Sequence, residues 1–114
     1  MSIDDLDPVI HAPKRLAAMA ILAASTEADF AFLRDHLGVS DSDLSKQMAT
    51  LAAAGYVSVT KRGRGPGSTT TYRMTRAGRR AFDRHVAALD RLIAGRAGDA
   101  GRPAGPVSRS AGPA

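Results

Sequence analysis

The sequence predicts a mainly helical α+β domain, with a three-helix core, a β-hairpin and a closing C-terminal helix. Three observations carry this prediction. Residues 13–54 hold three segments with helical apolar spacing, separated by short polar breaks. Residues 56–74 change to a two-residue alternation around a tip of Gly, Pro and Arg. Residues 75–94 return to helical spacing, with one apolar and one basic side.

Asp7-Pro8 offers a cap followed by proline at the first helical position, so a short turn through His11 is expected. The rest of residues 1–12, with Asp4, Asp5 and Asp7, reads as a solvated acidic lead-in. Pro13 opens the first full helix, over 13–24. There Leu16, Met19, Ala20, Ile21, Leu22 and Ala23 leave almost no polar side, which marks a buried helix. Ser25-Thr26-Glu27 breaks the pattern. A second helix over 28–37 places Phe30, Leu33 and Leu37 on one face, and Gly38 ends it. Val39 can pin the turn to the core. Ser40 then caps a third helix reaching Ala54-Gly55, with Asp43 as a shortened capping-box partner and Asp41 and Asp43 in its positive first turn. Leu44, Met48 and Leu51 form its buried stripe.

The first strand, 56–61, sets Tyr56, Ser58 and Thr60 against Val57 and Val59; the second, 69–74, is β-branched and carries Tyr72. Between them, residues 62–68 hold three glycines, one proline and two arginines. Thr75 can cap the fourth helix, where Phe82, Val86, Leu89 and Ile93 share a stripe opposite Arg76, Arg80, Arg84 and Arg91. These elements make residues 1–94 one domain. Residues 95–114 are Gly, Ala, Pro, Arg and Ser with little else, and read as a flexible basic tail, since burial there cannot offset the entropy of ordering.

Charge narrows the function. The chain carries +5 at pH 7, with a pI of about 10.4. Lys61, Arg62, Arg64, Arg73, Arg76, Arg79, Arg80 and Arg84 stand against Asp83 alone, so this one stretch holds more than the whole net charge. Such a patch is the footprint of a polyanion binder. There is no cysteine, which excludes disulfides and thiolate metal sites and fits a reducing, cytoplasmic setting. An acidic N-terminus is unlike a signal peptide, and the apolar run at 17–24 is too short to span a bilayer, so no membrane is expected. The loop 63–68 lacks the lysine of a phosphate-cradling loop and joins strand to strand. His11, His36 and His85 are too far apart in sequence for a local metal motif, and each reads as a surface or core-edge residue. No catalytic triad is framed. The chain therefore reads as no enzyme, with no cofactor and no metal.

The segments LAAMAIL, FAFLRDHLGVSDSDLSKQMATLAAAGYV and VTKRGRGPGSTTTYRMTRAGRRAF, in that order, resemble the winged helix-turn-helix transcriptional regulators, in particular compact MarR-like DNA-binding proteins. The likeness runs over residues 6–93. It implies a three-helix core with a two- or three-stranded wing, and sequence-specific binding of double-stranded DNA. Many relatives are homodimeric repressors released by a small-molecule effector. No residue of this sequence shows such a ligand. Asp43 stands where the family often carries a neutral polar residue, and is assigned to capping.

In this reading the third helix lies in the major groove. With Leu44, Met48 and Leu51 inward, Ser42, Lys46 and Ala49 face out, flanked by Ser45 and Thr50, while Ser40 sits at the cap. The hydroxyls can meet base edges or phosphates, Lys46 can reach guanine acceptors or a phosphate, and Gln47 at the edge can reach adenine or pack. In the wing, Arg64 is the candidate for the minor groove, and Lys61, Arg62, Ser68 and Thr69 for phosphates. The stripe of Phe82, Val86, Leu89 and Ile93 either closes over its own domain or pairs with a second copy; a homodimer is expected. The rival readings are a winged-helix protein adaptor, which would usually lose the basic wing, and an RNA-binding module, which would need exposed aromatics for stacking.

Overall fold

The computed structural model describes residues 3–100, with side chains described to residue 95. A single 3₁₀ turn (Ile3–Asp5) is followed by α1 (Pro13–Ala23), β1 (Ala28–Asp29), α2 (Phe30–Leu37), α3 (Asp41–Ala53), β2 (Val57–Arg62), β3 (Thr69–Met74) and α4 (Arg76–Ala100). The strands form one antiparallel sheet in the order β1-β3-β2. This is the mainly helical, winged architecture predicted above.

Ala18, Met19 and Leu22 of α1 meet Leu33 of α2 and Leu44, Met48 and Leu51 of α3, with Val57 and Tyr72 of the sheet closing the core. The helix ends follow local chemistry. Asp29 caps α2, its side chain accepting from the Phe32 amide, and Gly38 ends it in the left-handed region at φ +67°. Ser40 caps α3 by accepting from the Asp43 amide. The reciprocal half of the capping box is absent. Asp43 turns its carboxylate to Lys14 and Gln47 instead, since its side chain is one methylene shorter than glutamate and charged and amide donors lie close by.

The hairpin pairs Val57 with Met74 through to Arg62 with Thr69. The first strand thus begins and ends one residue later than its alternation suggested. Tyr56 stands outside the ladder because its amide closes the end of α3 on the Leu51 carbonyl, while its own carbonyl accepts from the Thr75 amide. The two-residue strand β1 places Ala28 opposite Tyr72 and Asp29 opposite Thr71, and delays the start of α2 to Phe30.

Three further expectations are corrected. Residues 6–12 are no solvated lead-in. Leu6 and Ile10 are buried, and Asp7 organises the turn: Oδ1 accepts from the amides of Val9 and Ile10, and Oδ2 accepts from the Tyr56 hydroxyl at 2.7 Å. The turn from Asp7 to His11 itself forms, with the His11 amide on the Asp7 carbonyl. His85 is fully buried rather than at a surface or core edge, because the Asp7 segment covers it. Finally, α4 continues to Ala100 instead of stopping near Ala94, its Ala- and Arg-rich end tolerating Gly95. The remainder of the expected tail, 101–114, lies outside the described residues.

Gly78, Ala81, His85 and Ala88 form the inward face of α4. The stripe singled out from sequence lies beside this face. Phe82 is half-buried against the core and Leu89 is half-buried, whereas Val86 is 36% and Ile93 63% exposed, with Leu92 at 39% beside them. An apolar strip therefore remains open along α4.

Candidate nucleic-acid interface

The core stripe of α3 fixes what that helix presents outward. Ser42, Ser45, Lys46 and Ala49 are exposed, and the Lys46 ammonium makes no hydrogen bond or ion pair among the described residues. Ser40 is exposed, with its oxygen engaged as the cap. Thr50 is half-buried, and its hydroxyl donates to the Lys46 carbonyl one turn back. The free outward surface is thus small hydroxyls and alanine around one lysine, a profile that can enter a groove closely.

Gln47 is placed differently from the rest. Its Oε1 accepts from Arg15 at 2.7 Å, and its Nε2 donates to Asp43 at 3.0 Å. Both ends of the carboxamide are committed within the protein, which leaves Gln47 on the flank of α3 rather than on its exposed face. Hydrogen bonds from Gln47, then from Lys14, hold the Asp43 carboxylate below its ordinary pKa. Nothing in the sequence pattern pointed to Arg15 or Lys14. A helix that opens with two bases is common, and their partners lie 32 and 29 residues away.

The wing carries its charges on a tip turned by glycines. Gly63, Gly65 and Gly67 have φ of +82°, +62° and +89°, a left-handed succession that other residues adopt at a cost. The Ser68 amide bonds back to the Gly65 carbonyl and tightens the loop. Every residue from 61 to 69 is exposed, and the side chains of Lys61, Arg62 and Arg64 have no hydrogen-bond or ion-pair partner among the described residues. Ser68 and Thr69 border an open cleft of about 330 Å³ with Asp29, Phe30 and Arg34, so the base of the wing stands next to the start of α2. Arg34 is tied to Asp35 at 2.9 Å and Asp41 at 3.1 Å. Arg73, part of the basic stretch, lies 3.9 Å from Glu27.

The two surfaces are joined rigidly. Thr75 donates to the Gly55 carbonyl at 2.6 Å and accepts from the Gly78 amide at 2.9 Å, so one side chain links the exit of α3, the wing and α4. Arg79 adds a bond to the Ala23 carbonyl at the end of α1. Among the described residues no cluster of His, Cys, Asp or Glu could hold a metal ion, and no helix is long and apolar enough to cross a membrane.

A family profile described as "Winged helix DNA-binding domain" matches residues 14–93, from the first turn of α1 to the exposed end of the α4 stripe. The chain belongs to the winged-helix DNA-binding domain family. Among solved structures, the transcriptional regulator homologue protein from Pyrococcus horikoshii OT3 is similar at 23% identity, over 76% of this chain and 86% of that one, with a TM-score of 0.70. A possible transcriptional regulator for arsenical resistance is 28% identical over 82% of this chain and 96% of its own, with a TM-score of 0.56. The zinc-responsive MarR family member ZitR from Lactococcus lactis shares the fold at 14% identity and a TM-score of 0.54, over 73% of this chain and 56% of that one. No match was found among curated protein sequences. The winged-helix family and these similarities make the chain a DNA-binding protein with the fold of transcriptional regulators.

Proposed function

We propose that this winged-helix protein is a sequence-specific regulator of transcription, a repressor, that reads double-stranded DNA as a homodimer. The observation that carries this reading is the pairing of two unlike surfaces on one rigid frame. The outer face of α3 is smooth, with Lys46 unpaired, and the wing tip is a glycine-built arm with three unpaired cations. The first suits base edges in a major groove, with Ser42, Ser45 and Lys46 as the reading residues. The second suits phosphates and a narrow minor groove, with Lys61, Arg62, Ser68 and Thr69 as the grip and Arg64 as the reader of shape.

The open strip of Val86, Leu92 and Ile93 on α4, continuous with half-buried Phe82 and Leu89, supports dimerisation through that helix. Two copies would then set their α3 helices ~34 Å apart on a pseudo-palindrome. An RNA-binding role is disfavoured by the aromatics. Of Phe30, Phe32, Phe82, Tyr56 and Tyr72, only Phe32 is exposed, and it stacks on His36 of its own helix. A protein adaptor would not need three unpaired cations on its wing.

The test is a pair of substitutions measured at near-physiological salt. Lys46→Ala should narrow the gap between preferred and random duplexes. Arg64→Ala should weaken binding to both with a smaller change of preference. Wild-type binding by both variants would refute the assignment of the two surfaces.

A further inference from the structure

Apolar packing resists a roll of α3 but sets it less sharply than directional bonds do. Leu44, Met48 and Leu51 bury one side of the helix, and burial is not directional. A roll of about 20° would move a side-chain tip on its outer face by about 2 Å, enough to spoil base contacts. Directional bonds on the flank would prevent this; besides the Arg34–Asp41 contact at the start of α3, the structure has one continuous set of them.

Arg15, half-buried in the first turn of α1, donates from Nε to the Val9 carbonyl at 2.6 Å and from Nη1 to Gln47 Oε1 at 2.7 Å. Gln47 passes the link to Asp43, whose second oxygen meets Lys14 at 2.5 Å. Residues 43 and 47 are one helical turn apart, so the row runs along the side of α3 between its buried stripe and its outer face. The other end of Arg15 grips the turn from Asp7 to His11, which Tyr56 and His85 fasten to the wing root and to α4. Arg15 therefore ties α3 to the frame on which the wing and α4 are mounted.

We infer that Arg15 is the positioning residue of the reading helix. It acts through Gln47 to fix the roll of α3, and so sets how sharply the protein discriminates among duplexes without contacting DNA itself. This rests on the reading of α3 given above. The planar guanidinium suits the task, because it serves two acceptors on different elements in one fixed geometry.

The experiment uses the full chain and Arg15→Met, which keeps the apolar stem and removes the donors. Binding is measured to the best duplex from a random pool and to a random duplex, over a salt series. The expected result is a ratio of preferred to random affinity lower by about tenfold, from loss of a charge-assisted bond at a coupled site. Random-duplex affinity and its salt slope should not move, since no phosphate contact is lost. Gln47→Leu should give the same loss, and the double variant no more than either single. In the DNA-free protein, the backbone amide resonances of residues 42–50 should shift in Arg15→Met while those of 61–69 stay in place. A shallower salt slope with equal loss on both duplexes would make Arg15 a phosphate contact and overturn the proposal. So would an unchanged ratio in a less stable protein, or additive losses in the double variant. A wild type with no preference among duplexes refutes the reading of α3 and this proposal together. A wild-type preference kept intact in Arg15→Met refutes the proposal alone.

Discussion

Replacing glycine by alanine inside an exposed helix ordinarily stabilises it by up to ~1 kcal/mol, because alanine loses less backbone entropy. At Gly78 the sign should reverse. A Cβ there would lie 2.1 Å from the Tyr56 carbonyl oxygen and 2.9 Å from its carbon, both backbone atoms that cannot swing aside. Relief requires α4 to move about 1 Å from the root of the wing, with overpacking of this kind costing ~1–3 kcal/mol. The same oxygen accepts the Thr75 amide at 3.0 Å, and weakening that bond adds ~1 kcal/mol. Set against the helical gain, Gly78→Ala should destabilise by ~1–3 kcal/mol and lower Tm by ~4–8 °C for each of these. Gly95→Ala is the internal control, for nothing lies within 4 Å of its would-be Cβ and it sits in the same helix. It should be neutral or stabilising. Thermal and urea melts of both variants decide the matter. A Gly78→Ala protein as stable as wild type would refute the close approach of α4 to the wing root.

Two other predictions follow from α4. His85 accepts the Asp7 amide on Nδ1 at 3.0 Å, and its Nε2 faces His11 Nδ1 at 3.3 Å, so the neutral ring donates to His11. Burial, then the neighbouring His11, lower its pKa below the ordinary 6.5, with Asp7 opposing. The unfolded chain thus takes up this proton more readily, and stability should be complete above about pH 6.5 and fall as the pH drops below it. His85→Asn, which keeps an acceptor for the Asp7 amide, should flatten that slope in urea melts; an unchanged slope would clear His85 of the effect. On the open strip, Ile93→Glu should shift the protein from dimer to monomer in sedimentation at micromolar concentration while leaving the far-ultraviolet spectrum intact. A wild type already monomeric there would refute dimerisation through α4.

What could be read from sequence was what neighbouring residues decide. Ser40, Gly38 and the cap that Thr75 places on Gly78 act on chain within a few residues of themselves, and the β-branched run of β3 marks its own ends. The two-residue β1 was hidden because only its pairing with Thr71 and Tyr72 makes it a strand. The hold of Asp7 on Tyr56 and His85 spans 49 and 78 residues, so three polar residues with no shared motif became one cluster only on folding. Leu6, Val9 and Ile10, at helical spacing, were the available sign that this segment packs. At the interface, exposure of Lys46 and the wing cations followed from period and composition. For Gln47 the sequence left packing open beside contact with adenine, and Arg15, reaching it from another helix, engages its carboxamide oxygen.

Selection of bound duplexes from a random pool with the full chain would show whether α3 reads sequence while the wing grips. An enriched pseudo-palindromic site with half-site centres about 10 base pairs apart is expected, with affinity that falls steeply with salt. Recovery of the pool without enrichment, or equal competition by single-stranded RNA across the salt series, would contradict this reading.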